Sequence, residues 1–181
     1  MKPLSQIAEE YAIKCHSDTN HLYDGLPYSF HLELAVKVAK KFIHLIPERN
    51  REIVLAACWC HDTIEDTRVT PNDVVKATNK DVALIVYAVT NEKGWTRKDR
   101  ANDKYYKGIR DTKYATFVKL CDRIANALYS QSKIGVSTMF EKYKEENLHF
   151  TKELFDEKGS YGEMFDYLEE IFAEQKHIQD I

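Results

Sequence analysis

The sequence predicts an all-α fold. Breakers are scarce, with 6 Gly and 4 Pro in 181 residues, which favours long helices and leaves little turn chemistry for an all-β protein. Apolar residues recur at three- and four-residue spacing through most of the chain. The composition, 44% hydrophobic and 30% charged, is that of a soluble globular chain long enough to bury a core without disulfides, as one domain with at most a small helical extension.

The elements follow in order. Leu4, Ile7, Ala8, Tyr11, Ala12 and Cys15 mark an amphipathic helix, and residues 17–28 are rich in turn formers and read as a loop. A helix starts near Ser29 with Leu32, Ala35, Val36 and Ala39 on one face, and Pro47 is expected to break it. The next helix, from about Glu48 through His61, is apolar on nearly all sides and is expected at the centre of the molecule. Thr70 and Pro71 make a helix start, as cap and first position. Residues 81–90 read as a helix from their helical neighbours, although their β-branched side chains also allow a strand. Residues 91–107 are polar and basic, with Gly94 as a breaker, and a helix is expected over 112–130. After Gly135 two more are expected, at about 137–157 and 161–175. With no repeat or linker, the chain reads as a single domain.

Charge and cysteine usage exclude several classes. With 26 Lys plus Arg against 29 Asp plus Glu, the net charge of -3 is not that of a nucleic-acid binder, while a local basic pocket for a small anion remains compatible with it. Cys15, Cys58, Cys60 and Cys121 form neither a zinc-ribbon spacing nor a disulfide framework and read as reduced thiols packed in the core. No apolar signal segment follows Met1-Lys2 and no run approaches membrane-spanning length, so the expectation is a cytoplasmic protein without membrane contacts.

Three local features carry chemistry. His61-Asp62-Thr63-Ile64-Glu65-Asp66 follows the most hydrophobic segment; in a continuous helix His61 would lie over Glu65 and Asp62 over Asp66. Three carboxylates on one side of a buried segment repel each other, and a divalent cation relieves them, with His and Asp as its ligands. The competing reading is a solvated helix end, although a helix C-terminus disfavours clustered acids. In Lys119-Leu120-Cys121-Asp122-Arg123-Ile124-Ala125-Asn126, the i, i+4 pair Asp122 and Asn126 sits among apolar residues, and a buried Asp needs a partner. His31 taken alone reads as a helix-start residue; beside the other two features it becomes the missing ligand of one site.

Together, His31, His61-Asp62 and Asp122 resemble the HD superfamily of metal-dependent phosphohydrolases. HDTIEDT followed by KLCDRIAN, with PYSFH ahead of them, is similar to the hydrolase domain of RelA/SpoT-type alarmone enzymes and the stand-alone small alarmone hydrolases, over about residues 20–130. The resemblance implies a compact multi-helix HD-domain bundle with residues 135–181 as a helical extension. It implies a divalent metal, manganese, held by His31, His61, Asp62 and Asp122, and removal of the 3′-pyrophosphate of (p)ppGpp by metal-activated water. It gives Glu65 and Asp66 the task of positioning and activating that water, without deciding between them, and places Asn126 and Tyr28 against the substrate. The basic stretch with Arg97, Lys98 and Lys104 reads as a phosphate clamp or as a solvated helix face. One stretch departs from the pattern: where the relatives carry Arg and Lys to hold guanine, this chain has His21-Leu22-Tyr23-Asp24-Gly25-Leu26, whose rings can stack on a base. The alternatives are therefore an HD phosphohydrolase acting on a dinucleotide phosphate or deoxynucleotide, and a non-catalytic nucleotide-binding regulator. In each case the expected partner is a small anionic nucleotide.

Overall fold

The computed structural model describes residues 2–133, 138–157 and 159–181. Helix α1 (Leu4–Asp18) leads through a two-stranded hairpin, β1 (Leu22–Tyr23) with β2 (Leu26–Pro27), into α2 (Ser29–Lys41). Helices α3 (Arg51–Cys60), α4 (Thr63–Asp66), α5 (Pro71–Ala77), α6 (Lys80–Val89), α7 (Arg97–Arg100), α8 (Asp103–Asp111), α9 (Ala115–Gln131), α10 (Met139–Leu154) and α11 (Gly162–Phe172) follow, with short 3₁₀ turns at Ile43–Leu45, Glu48–Asn50 and Ile178–Asp180. The all-α expectation holds. No helix among the described residues is long and apolar enough to cross a membrane.

The helix read as central is central. Val54, Ala56, Ala57, Cys58, Trp59 and Cys60 are all buried, and α3 packs against α1, α2, α6 and α9. Helix α9 is the second spine: it contacts α2, α6, α8, α10 and α11, with Phe117, Leu120, Ile124 and Leu128 fully buried. Buried side chains from α1 through α11 join in one continuous apolar cluster. The four cysteines are free and buried, as read from their spacing.

Several boundaries differ from the sequence reading, each for a local reason. The stretch 17–28 is not a plain loop: Asp24 and Gly25, at φ 51° and 81°, form a tight turn that closes the hairpin. Helix α2 stops at Lys41, before Pro47, because Phe42 leaves the helical region and the chain tightens into a 3₁₀ turn. The segment from Glu48 opens as 3₁₀, and its α-helix ends at Cys60 rather than running on through the acids. Residues 91–107 hold α7 and the start of α8. Helix α9 begins at Ala115, not 112, because Tyr114 adopts a left-handed φ of 68°. Helices α10 and α11 end at Leu154 and Phe172, short of 157 and 175; residues 135 and 137 lie outside the described residues.

Leu128 is fully buried on α9. Leu128→Ala is expected to cost about 2–5 kcal/mol in urea unfolding, from lost transfer energy plus the cavity left behind. A loss under about 0.5 kcal/mol, the range of surface substitutions, would contradict the central position of α9.

Candidate metal centre and substrate cleft

Two chain turns and one long helix build the centre. His31 sits in the first turn of α2, His61 and Asp62 at the turn between α3 and α4, and Asp122 in the middle of α9. His61 caps α3 with helical backbone angles, and its ring is buried. Its Nδ1–H donates to the Cys58 carbonyl oxygen at 2.8 Å, which leaves Nε2 with its lone pair facing the cluster.

His31 Nε2 lies 3.1 Å from His61 Nε2, 3.2 Å from Asp122 Oδ1 and 3.5 Å from Asp62 Oδ2. His61 Nε2 lies 3.0 Å from Asp62 Oδ2 and 3.6 Å from Asp122 Oδ1. One ligand atom from each of the four residues falls within 4.8 Å of the others, so the structure brings all four expected ligands together. Adjacent ligands about 2 Å from one ion stand about 3 Å apart, which is the spacing found here. The set suits a divalent cation: two imidazoles and two carboxylates, the latter cancelling its charge.

The four groups also shift one another's proton affinity. Burial alone would push both imidazoles down, but hydrogen bonds and charge from Asp122 and Asp62 raise His31 above its ordinary value and His61 well above it. Burial acts upward on both carboxylates and is overcome: the His61 charge holds Asp62 well below the usual range, and the Lys119 ammonium does the same for Asp122.

Supporting groups fix the ligands from outside. Lys119 Nζ donates to Asp122 Oδ2 at 2.7 Å, and Asn126 Nδ2 donates to Asp122 Oδ1 at 2.5 Å. Tyr23 donates its O–H to Asn126 Oδ1 at 2.9 Å and stacks on the His31 ring, with centroids 4.8 Å apart. Tyr28 donates to Asp62 Oδ2 at 2.5 Å, and its oxygen lies 3.3 Å from Asp66 Oδ2. Such outer contacts orient ligands and tune their basicity.

Beside the centre opens a cleft of about 690 Å³, lined by Asp62, Asp122, Glu65 and Asp66 among others. That volume suits a nucleotide-sized ligand. Glu65 and Asp66 lie in α4, a single turn that follows the end of α3 rather than extending it. Glu65 does not sit over His61; both its oxygens accept from Asn91, from the backbone N–H at 3.0 Å and from Nδ2 at 2.8 Å. The Asp62–Asp66 register persists, with the Asp66 N–H donating to the Asp62 carbonyl at 2.9 Å. Burial, then the charges of Asp62 and Glu65, push the Asp66 carboxyl up to about 7.

Of the expected substrate contacts, Tyr28, Asn126, Arg97 and Lys98 line the cleft, whereas Lys104 stands outside its lining and pairs with Glu92 at 2.7 Å. Asn126 also donates to Asp122 and accepts from Tyr23. Sequence reasoning missed Lys119, Tyr143, Glu146 and Asn91. Lys119 was within reach, three residues before Asp122 on the same helix; the others come from segments without a motif.

No family model matches the chain. Two curated relatives do, both named guanosine-3′,5′-bis(diphosphate) 3′-pyrophosphohydrolase MESH1. The Danio rerio protein is 29% identical over 119 residues, covering 66% of this chain and 62% of that one. The Drosophila melanogaster protein is 26% identical over 125 residues, 68% of this chain and 69% of that one. The chain thus spans less than two thirds of the Danio rerio relative. A solved structure of a metazoan ortholog of SpoT, described as hydrolysing ppGpp and playing a role in starvation responses, superposes with a TM-score of 0.71 over 97% of both chains at 22% identity. The chain has the fold of that SpoT ortholog. The SpoT-like fold therefore extends over α10 and α11 as well, beyond the 20–130 segment that carries the motifs.

The raised imidazoles give the centre a testable pH dependence. Below their folded pKa they carry protons that an incoming cation must displace, so Mn²⁺ affinity should fall as pH drops through that range and flatten above it. Calorimetry in buffers of different ionisation enthalpy should show more proton release on Mn²⁺ binding at about pH 6 than at about pH 9. Equal affinity and no proton release across that span would contradict the ligand set.

Proposed function

We propose that the protein hydrolyses a nucleotide phosphate, and that its substrate is (p)ppGpp, from which it removes the 3′-pyrophosphate. The observation that carries this reading is the convergence of His31, His61, Asp62 and Asp122 at one end of a nucleotide-sized cleft. The names of the two MESH1 relatives support the choice of substrate, and the SpoT-like fold is compatible with it.

A divalent cation, which we take to be Mn²⁺, would supply Lewis acidity at the four ligands, lowering the pKa of water and offsetting charge on the phosphoryl oxygens. The chain's own residues do the rest. Lys119 and Asn126 hold Asp122, while Tyr28 holds Asp62. Glu65, with both oxygens occupied by Asn91, shapes the acidic wall of the cleft. Asp66 meets only the Tyr28 hydroxyl and the backbone among the described residues, which makes it the carboxylate able to accept a proton from attacking water. Arg97 and Lys98 stand on the cleft wall with charges that suit phosphate oxygens.

A second reading, hydrolysis of a different nucleotide, is favoured by one observation: the hairpin facing the cleft carries Tyr23 and Asp24 and no arginine. We read residues 1–181 as a single working unit acting on a small nucleotide in the cytoplasm, in line with the free thiols, and not on nucleic acid.

Incubation with ppGpp and Mn²⁺ should release pyrophosphate and GDP. Asp66→Asn should lower kcat by about 10²–10⁴-fold with metal content retained, and Asp62→Ala should lose both metal and activity. Orthophosphate release from another nucleotide, with ppGpp untouched, would replace the substrate. Full activity in Asp62→Ala would contradict the cluster of His31, His61, Asp62 and Asp122 as the seat of the chemistry.

A further inference from the structure

The end of α1 is closed by backbone bonds that bring two histidines together. Asn20, at φ 52°, turns the chain back. Its N–H donates to the Ser17 carbonyl at 3.0 Å, and the His21 N–H donates to the His16 carbonyl at 3.0 Å. Such a closure, with a left-handed residue before its outer bond, sets the side chain of the outer residue against that of the last helical turn. His21 therefore lands on His16, and their Nδ1 atoms stand 3.0 Å apart.

Neither histidine belongs to the cleft lining, and each stacks on Tyr28. The centroid distances to Tyr28 are 4.3 Å for His16 and 4.0 Å for His21, with interplanar angles of 16° and 18°. The two imidazole centroids are 5.2 Å apart, too close for Tyr28 to stand between them, so both cover one face of its ring. His16 is buried and its Nε2 meets no partner among the described residues, which leaves His21 as the group that holds its ring in register. Burial lowers the proton affinity of both imidazoles, that of His16 to about 4, so at neutral pH one Nδ1 donates and the other accepts.

Tyr28 is where this pair reaches the centre. Its hydroxyl donates to Asp62 Oδ2 at 2.5 Å and stands 3.3 Å from Asp66 Oδ2. We propose that His16 and His21 are positioning residues: as one hydrogen-bonded plate they fix the Tyr28 ring and, through its hydroxyl, the placement of Asp62 and Asp66. The sequence offers His21 as a ring to stack on a substrate base; the structure turns it onto Tyr28 instead. A support ordered in advance removes that ordering from the free energy of binding. The assignment rests on the hydrolase reading for the task of Asp66, whereas the hold on Asp62 is read without turnover.

The test is a double-mutant cycle on Mn²⁺ affinity, measured by calorimetry on the full chain with His21→Ala, Tyr28→Phe and both. Tyr28→Phe should weaken Mn²⁺ binding by about tenfold, as removal of an outer partner does. His21→Ala should weaken it by about threefold alone and have no further effect in the Tyr28→Phe protein, because the hydroxyl through which it acts is gone. With ppGpp, His21→Ala should lower kcat and leave KM within about twofold, since His21 stands outside the cleft lining. Equal effects of His21→Ala in both backgrounds, the mark of a general loosening of the hairpin, would overturn the proposal. So would Mn²⁺ affinity indifferent to His21→Ala alone. Coupled Mn²⁺ affinities in a protein that leaves ppGpp intact would support the positioning role and count against the substrate instead.

Discussion

Two imidazole nitrogens 3.1 Å apart, faced by two carboxylates, cannot be buried without a positive charge among them. A proton or a metal ion has to occupy that position, and much of the surrounding architecture serves to keep the four groups there. The Cys58 carbonyl selects the His61 tautomer, and Lys119 balances Asp122 from the far side. Tyr23, Tyr28 and Asn126 close the ring of contacts. The break after α3 is part of the same arrangement, since a continuous helix would have carried Glu65 onto the face of His61, whereas here Glu65 pairs with Asn91.

The cleft inherits a polarity from this centre. At one end stand Glu65 and Asp66, acids gathered beside the His31, His61, Asp62 and Asp122 cluster. Along the wall from α7, α9 and α10 stand guanidinium groups ordered by Glu146. Helix α9 links the two, because Lys119, Asp122, Arg123 and Asn126 come from consecutive turns of one rigid, buried element.

Much of this was legible in the sequence. The helical class followed from spacing and from the scarcity of breakers, and the four residues that cluster stood in two motifs plus one isolated histidine. What the sequence hid was long-range partnering. Nothing local marks Asn91 as the partner of Glu65 or Glu146 as the partner of Arg97, 49 residues away. Lys104 and Lys98 read alike in a basic stretch, but α8 turns Lys104 toward Glu92 and away from the cleft. The end of α3 at Cys60 was also hidden, because Thr63 offers no strong stop signal; its hydroxyl donates to the Cys60 carbonyl at 2.7 Å and satisfies the terminus there.

The central claim is that His31, His61, Asp62 and Asp122 share one ion. Anomalous diffraction from crystals grown with Mn²⁺ tests it most directly. The account predicts a single strong peak within about 2 Å of one atom from each of the four side chains. A peak elsewhere, or none at this cluster at saturating Mn²⁺, would contradict it.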